Sequence, residues 1–290
     1  MSVVITGASG HLGRGVVEEL LERVDPAELI LVTRAPDSLA EYAARGAQVR
    51  AGDFDDPSSL ADAFAGGERL LLISTDALGR RIAQHHAAID AAVAAGIGFI
   101  AYTSIVNPGE ANPAAVVPEH SATEEKLRES AVEWAFLRPS IYADLEAGNL
   151  AAALATGKLV TNGGPGRVAY VARADLAAAA AAVIAGGDHA GKAYEITGPE
   201  LLDADARGAI FAELTGKPVE VVQVDDEAYA AGLAEATGLP IDAGRLYASF
   251  GRAARDGYLE VISSDFEQLT GRAPRSLSSV LQTQGAPVAA

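Results

Sequence analysis

The stretch MSVVITGASGHLG, residues 1–13, decides how the rest of the chain reads. Val3, Val4 and Ile5 form an apolar run that stops at Thr6 and opens into a turn with glycine at 7, 10 and 13. From Arg14 to Leu21 the apolar residues then recur at helical spacing. A buried strand, a glycine-rich turn and a helix in that order form the phosphate-binding unit of a dinucleotide fold. Gly7 permits the tight turn, Gly10 lets a pyrophosphate approach the backbone, and Gly13 lets the helix pack close to the strand. N–H groups at the helix start, at the positive end of its dipole, suit phosphate oxygens. A glycine triplet alone also fits a structural turn. The flanking strand and helix patterns therefore carry the reading.

Outward from this unit the chain alternates. Apolar strands are expected at 28–34, 47–54, 69–74, 99–104 and 133–137, with helices at 38–45, 56–66, 80–95 and 119–131. This alternation with short connections predicts an α/β fold, a Rossmann-type doubly wound parallel sheet. Residues 142–158 read as helical, 162–166 as a plain turn and 168–171 as a short strand. Asp175 stands as N-cap of an alanine-rich helix reaching Ile184. Residues 192–197 make one more strand. Beyond them, helices at 205–215, 227–237 and 243–256 around one strand at 219–224 predict a smaller, mostly helical C-terminal lobe. The division expected is 1–138 with 167–197 for nucleotide binding, 139–166 with 198–284 for the substrate lobe, and a disordered tail at 285–290.

Composition narrows the function. The net charge of −17 offers no basic stripe and excludes nucleic acid and anionic membrane surfaces as expected partners. Hydrophobic residues make up 49% of the chain, enough for a large core. Cysteine is absent, which removes disulfides, thiolate metal sites and cysteine nucleophiles together. The histidines lack ligand spacing: His85 and His86 would point about 100° apart on a helix. No metal is expected. The first helix carries Glu18, Glu19 and Glu22 rather than a basic leader, and no apolar run approaches the ~20 residues of a membrane span. A cytoplasmic protein is expected, and a homo-oligomer is compatible with the sequence.

Ligands of open α/β sheets bind beyond the carboxyl ends of the strands. That rule places Arg34, Asp53, Ser74, Thr75 and Ser104 near the crevice. Each residue also suits a cap or a turn.

The segments GASGHLG, VTR, GDF, LLLIS, FIAYTS, HSATEEKLRESAVEWAFLRPSIY, VARADLAAAAAAVI and KAYEITG together resemble the NmrA-like branch of the atypical short-chain dehydrogenase/reductases. Within it the chain is most similar to the type 2 NAD(P)H:quinone oxidoreductase and triphenylmethane reductase group. The resemblance covers residues 1 to about 200 well and continues weakly to about 280. It implies NADP(H) as cofactor. Gly7, Ser9, Gly10, His11, Leu12 and Gly13 would form the phosphate loop, and Arg34 would meet the adenosine 2′-phosphate. Sequence physics agrees for Arg34, since NAD-selective sites place an acidic residue there. The resemblance further implies Asp53 and Phe54 at the adenine. Ile73, Ser74, Thr75, Thr103 and Ser104 would lie along the ribose and nicotinamide.

Ordinary members of the superfamily use a Tyr-x-x-x-Lys pair for proton transfer. The lysines here are Lys126, Lys158, Lys192 and Lys217, and four positions before them stand Ala122, Leu154, Asp188 and Glu213. The usual alcohol–ketone chemistry therefore lacks its proton donor, and no catalytic residue is assigned. In the quinone reductase group asparagine typically follows the arginine corresponding to Arg138, with tryptophan two further on. This chain has Pro139 and Ile141, which with the matching Tyr142 are expected to line the acceptor pocket. Lys126 is offset by one residue from that group's lysine and reads as a solvated helix residue. The expected activity is NADPH-dependent hydride transfer to a planar acceptor such as a quinone. The alternative is a non-catalytic NADP(H)-binding redox sensor of the NmrA type.

Overall fold

Val3, Val4 and Ile5 are fully buried, because the strand they form lies at the centre of a sheet covered on both faces. A computed structural model describes residues 1–284. The tail expected at 285–290 lies outside the described residues.

The N-terminal half runs β1 (Val3–Thr6), α1 (His11–Leu21), β2 (Leu29–Thr33), α2 (Ala40–Ala44), β3 (Gln48–Ala51), α3 (Leu60–Phe64), β4 (Arg69–Leu72), α4 (Arg81–Ala94) and β5 (Phe99–Thr103). It continues with α5 (Val117–Glu129) and β6 (Glu133–Pro139). The chain then passes through α6 (Glu146–Thr156), β7 (Lys158–Thr161), α7 (Arg173–Ile184) and β8 (Lys192–Ile196). Last come α8 (Ala204–Thr215), β9 (Glu220–Gln223), α9 (Asp226–Thr237), α10 (Ile241–Arg255), α11 (Asp265–Thr270) and α12 (Leu277–Thr283). Seven strands pair in parallel in the order β3-β2-β1-β4-β5-β6-β8. The order reverses between β1 and β4, and the crevice opens there.

Side chains alternate across the sheet with the strand period of two. Val3 and Ile5 pack with α1 and α7, whereas Val4 packs with Phe64, Ala88 and Ile89 from α3 and α4. Alanine gives α7 a thin surface, so a Cβ built on Gly15 of α1 would lie 3.1 Å from the Ala177 Cβ. Gly15, rather than Gly13 alone, sets how closely helices approach on this face.

Three expectations need correction. The lobe holds a two-stranded parallel sheet of β7 and β9 rather than one strand, because Gly157 (φ +72°) ends α6 and leaves Lys158–Thr161 extended. Residues 162–166 do form the expected turn, the Gly166 amide closing on the Gly163 carbonyl at 3.0 Å. Asn162 donates to the Ala248 carbonyl at 2.8 Å, and a Cβ on Gly166 would sit 2.1 Å from the Ala254 carbonyl oxygen, so the segment is keyed into α10. Residues 168–171 form no continuous strand, only bridges of Val171 to Tyr142 and Val168 to Leu202. Asp175 is not an N-cap. Ala172 holds that position, and Asp175, fully buried in the first turn, binds Arg272 Nη1 at 2.8 Å and the Arg275 amide at 2.7 Å. Through that contact α11 returns to α7 and β8, with Asp265 accepting the Glu195 amide at 2.8 Å.

Candidate cofactor and acceptor site

Gly7 leaves β1 at φ +62°, a backbone that favours glycine, and turns the chain under Gly10. The Gly10 amide closes the turn on the Gly7 carbonyl at 2.9 Å. Gly10 is the N-cap of α1, no side chain caps the helix, and its first turn carries no acidic residue. Among the described residues, the amides of His11, Leu12 and Gly13 have no protein acceptor. A helix start left uncapped in this way is an anion site. Leu12 buries its side chain, so only its amide faces the turn, and His11 is exposed. A Cβ on Gly13 would fall 2.2 Å from the Gly7 carbonyl oxygen and fill the cradle. Ser9 lies beside it, its hydroxyl 2.8 Å from that of Thr33. A pyrophosphate fits these residues.

At the end of β2, Arg34 is exposed and, among the described residues, has no hydrogen-bonding or ion-pair partner. Thr33 pairs with Ala51, so the residues after β3 emerge beside it. Asp53 and Phe54 are half-buried there, the Phe54 ring meeting His85 edge-on at 6.4 Å between centroids. Asp53 accepts the Asp55 amide at 3.0 Å.

Sequence reasoning missed what shapes the segment after β4. Thr6 Oγ1 accepts the Ile73 amide at 3.1 Å, and Thr103 Oγ1 accepts the Ser74 amide at 2.8 Å. Thr75 is held by α4 through three groups. Its amide donates to His85 Nε2 at 3.2 Å, its hydroxyl to Gln84 Oε1 at 2.8 Å, and its carbonyl accepts Arg81 Nε at 2.7 Å. Glu119 of α5 accepts the Gly79 amide at 2.7 Å and pairs with Arg81 at 3.2 Å. Burial, with the Arg81 charge adding to it, pushes His85 down to about 3, so the ring is neutral at pH 7. A neutral ring accepting at Nε2 carries its proton on Nδ1, which faces Thr123 Oγ1 at 3.0 Å. The QHH run at 84–86 was the available signal, but it pointed only to the absence of a metal.

Ser104 follows β5 and is buried. Its hydroxyl donates to Glu124 Oε1 at 2.7 Å. That carboxylate also takes Arg138 Nε at 2.8 Å, Arg138 Nη2 at 2.6 Å and Arg128 Nη2 at 2.7 Å. Pro139, the last residue of β6, and Ser140 after it are buried, and the Ser140 hydroxyl has no protein partner among the described residues. Ile141 and Tyr142 are half-buried and diverge. Ile141 turns to the apolar cluster of the lobe, and Tyr142 to the core under α1 and α7, with Arg173 over its ring at 5.4 Å. Burial pushes the Tyr142 hydroxyl up to about 12, which keeps it protonated.

Residues 7–186 match the family described as NAD(P)H-binding. Quinone oxidoreductase 2 of Escherichia coli is 35% identical over 276 residues, covering 95% of this chain and 96% of that protein. The crystal structure of the Escherichia coli NADPH-dependent quinone oxidoreductase with NADPH superposes at a TM-score of 0.93, with 34% identity over 97% of this chain and 99% of that one. The Citrobacter sp. triphenylmethane reductase with NADP(H) superposes at 0.91, with 32% identity over 97% and 99% of the two chains. The chain belongs to the NAD(P)H-binding family and is an NADPH-dependent oxidoreductase.

Proposed function

We propose that this NADPH-dependent oxidoreductase passes hydride to a planar, quinone-like acceptor. The observation that carries the reading is the Ser104 hydroxyl, whose proton is directed at Glu124, a carboxylate locked by two arginines. Without a Tyr-x-x-x-Lys pair, an acceptor that spreads the incoming charge over its own ring, and takes its proton from water, suits this site. The quinone oxidoreductase name of a 35% identical relative supports the same choice. NADPH, when bound, supplies the hydride.

The chain's own residues bind and orient. The uncapped amides at 11–13 take the pyrophosphate in the cradle of Gly7, Gly10 and Gly13, and Arg34 takes the 2′-phosphate by charge and forked donors. Asp53 and Phe54 frame the adenine. Ile73, Ser74 and Thr75, held by α4 and by Thr103, lie along the ribose and nicotinamide, with Ser104 beside them. Pro139, Ile141 and Tyr142 follow the carboxyl end of the sheet on the side proposed for the acceptor, between the sheet edge and the lobe of 139–166 and 198–284, with Ile141 on the lobe's side and Tyr142 on that of the core. No helix among the described residues is long and apolar enough to cross a membrane. A cytoplasmic location and a homo-oligomer complete the proposal, checked by fractionation and sedimentation.

Steady-state NADPH oxidation with a panel of benzoquinones, naphthoquinones and triphenylmethane dyes tests it. Turnover is expected with simple quinones and much less with NADH as donor. A protein that binds NADPH but reduces none of these acceptors would be a sensor instead.

A further inference from the structure

A lone arginine beside three carboxylates is normally captured by one of them. Asp53, Asp55 and Asp56 follow β3, and the register of β2 and β3 brings that segment out beside Arg34. Each carboxylate is turned elsewhere. Asp53 Oδ1 accepts the Asp55 amide at 3.0 Å, and Asp56 Oδ1 accepts the Ser58 amide at 3.2 Å and hydroxyl at 2.6 Å. Asp55 has no such local partner. Its two oxygens are taken by the start of α4 and the N-cap residue before it, Oδ2 by Arg80 Nη1 at 2.7 Å and Oδ1 by Gln84 Nε2 at 2.8 Å. Gln84 is fixed in that sense because its own Oε1 accepts from Thr75. The Gln84 amide and then Arg80 hold the Asp55 carboxyl below its ordinary range, with the Arg34 charge also acting on it.

We infer that Arg80 is a specificity-determining residue for the cofactor: it holds the Asp55 carboxylate away from Arg34 and so keeps Arg34 available to the 2′-phosphate. The inference rests on the proposed pairing of Arg34 with that phosphate. The Arg80 side chain is 65% exposed, and a pair so open to water adds little to stability. Its consequence is local. Without Arg80, Asp55 keeps Oδ1 on the Gln84 amide, but the freed Oδ2 turns to Arg34, where its uncompensated charge competes with the phosphate and repels it. NADH has no phosphate there, so its binding does not sense the exchange.

Dissociation constants for NADPH and NADH, measured by titration on wild type, Arg34→Ala, Arg80→Ala, Asp55→Asn and the Arg80→Ala/Asp55→Asn double variant, test this. Arg80→Ala is expected to weaken NADPH about three- to tenfold and leave NADH within about twofold. Asp55→Asn alone should bind NADPH at least as well as wild type. Placed on Arg80→Ala, it should restore the wild-type value, because the competing charge is gone. Arg80→Ala with unchanged NADPH affinity, equal weakening of both cofactors, or a double variant no better than Arg80→Ala would each overturn the inference. Arg34→Ala separates the two levels. If it keeps the preference for NADPH, the phosphate reading itself falls; if it loses the preference while Arg80→Ala does not, only the role of Arg80 falls.

Discussion

One methyl group at position 13 is enough to close the cradle proposed for the phosphates, whereas position 10 admits a Cβ only if the Gly7 carbonyl gives by a few tenths of an ångström, and leaves no space for a phosphate beside it. A Cβ at Gly13 meets the Gly7 carbonyl at 2.2 Å, while at Gly10 the nearest contact is 3.2 Å and φ is −73°. Gly10→Val is therefore expected to keep its melting temperature within a few degrees and to lose NADPH binding. Unchanged NADPH affinity would refute the phosphate-loop assignment. Gly13→Ala should lower both, since backbone must move. At Arg34, the charge-assisted contact proposed with the 2′-phosphate would contribute roughly 1.5–3 kcal/mol, or about ten- to a hundredfold in affinity. Arg34→Ala should remove most of the preference for NADPH over NADH, Arg34→Asp should favour NADH, and rising salt should shrink the wild-type preference. At this scale the sequence was most legible where backbone geometry leaves a residue no choice. Gly7 and Gly13 could be read at once. Gln84, His85 and Glu119 could not, because their partners lie on other elements and depend on how helices meet.

Elements buried on both faces announce themselves as apolar runs, which is why β1, β2, β4 and β5 could be placed within a few residues, whereas β3, half-exposed Gln48–Ala51 at the sheet edge, was placed by the alternation around it. β7 escaped because its buried Leu159 and Thr161 alternate with exposed Lys158 and Val160 directly after a helix, so its period of two merges with the helical pattern. Asp175 escaped for a different reason: its partners Arg272 and Arg275 lie about a hundred residues away in sequence. Asp175→Ala removes a buried anion from two donors and should cost about 2–4 kcal/mol in chemical unfolding. Protease should then cut within 265–284 first, and a variant with wild-type stability would show the clamp to be idle. The segment after β6 is where acceptor choice is expected to sit. Replacing Pro139 with asparagine and Ile141 with tryptophan should change the ranking of quinones by kcat/KM while NADPH affinity stays within about twofold. A change confined to NADPH would place these residues on the cofactor instead.

For the whole molecule, two buried neutral histidines couple stability to acidity. Burial holds His85 near 3 and His120 well below its ordinary value, whereas both titrate normally once unfolded. The unfolded chain then binds protons that the native one refuses, so stability is greatest above about pH 7 and falls as pH drops through 6.5 towards 5, by roughly 1 kcal/mol per unit for each histidine. Urea midpoints at pH 7.5, 6.5 and 5.5 check this, and midpoints that stay level would contradict it. The carboxylates held low, Asp226 at about 2 among them, act only at more acid pH. The clamp at Asp175 has a last consequence, in biosynthesis. The sheet is complete in sequence by Ile196, yet the carboxylate buried under α7 meets Arg272 only 97 residues after its own position. A growing chain that has emerged through β8 thus carries an anion it cannot bury without a partner. Folding of the nucleotide-binding half on the ribosome is accordingly expected to wait for Arg272, and nascent chains arrested before that residue should remain protease-sensitive.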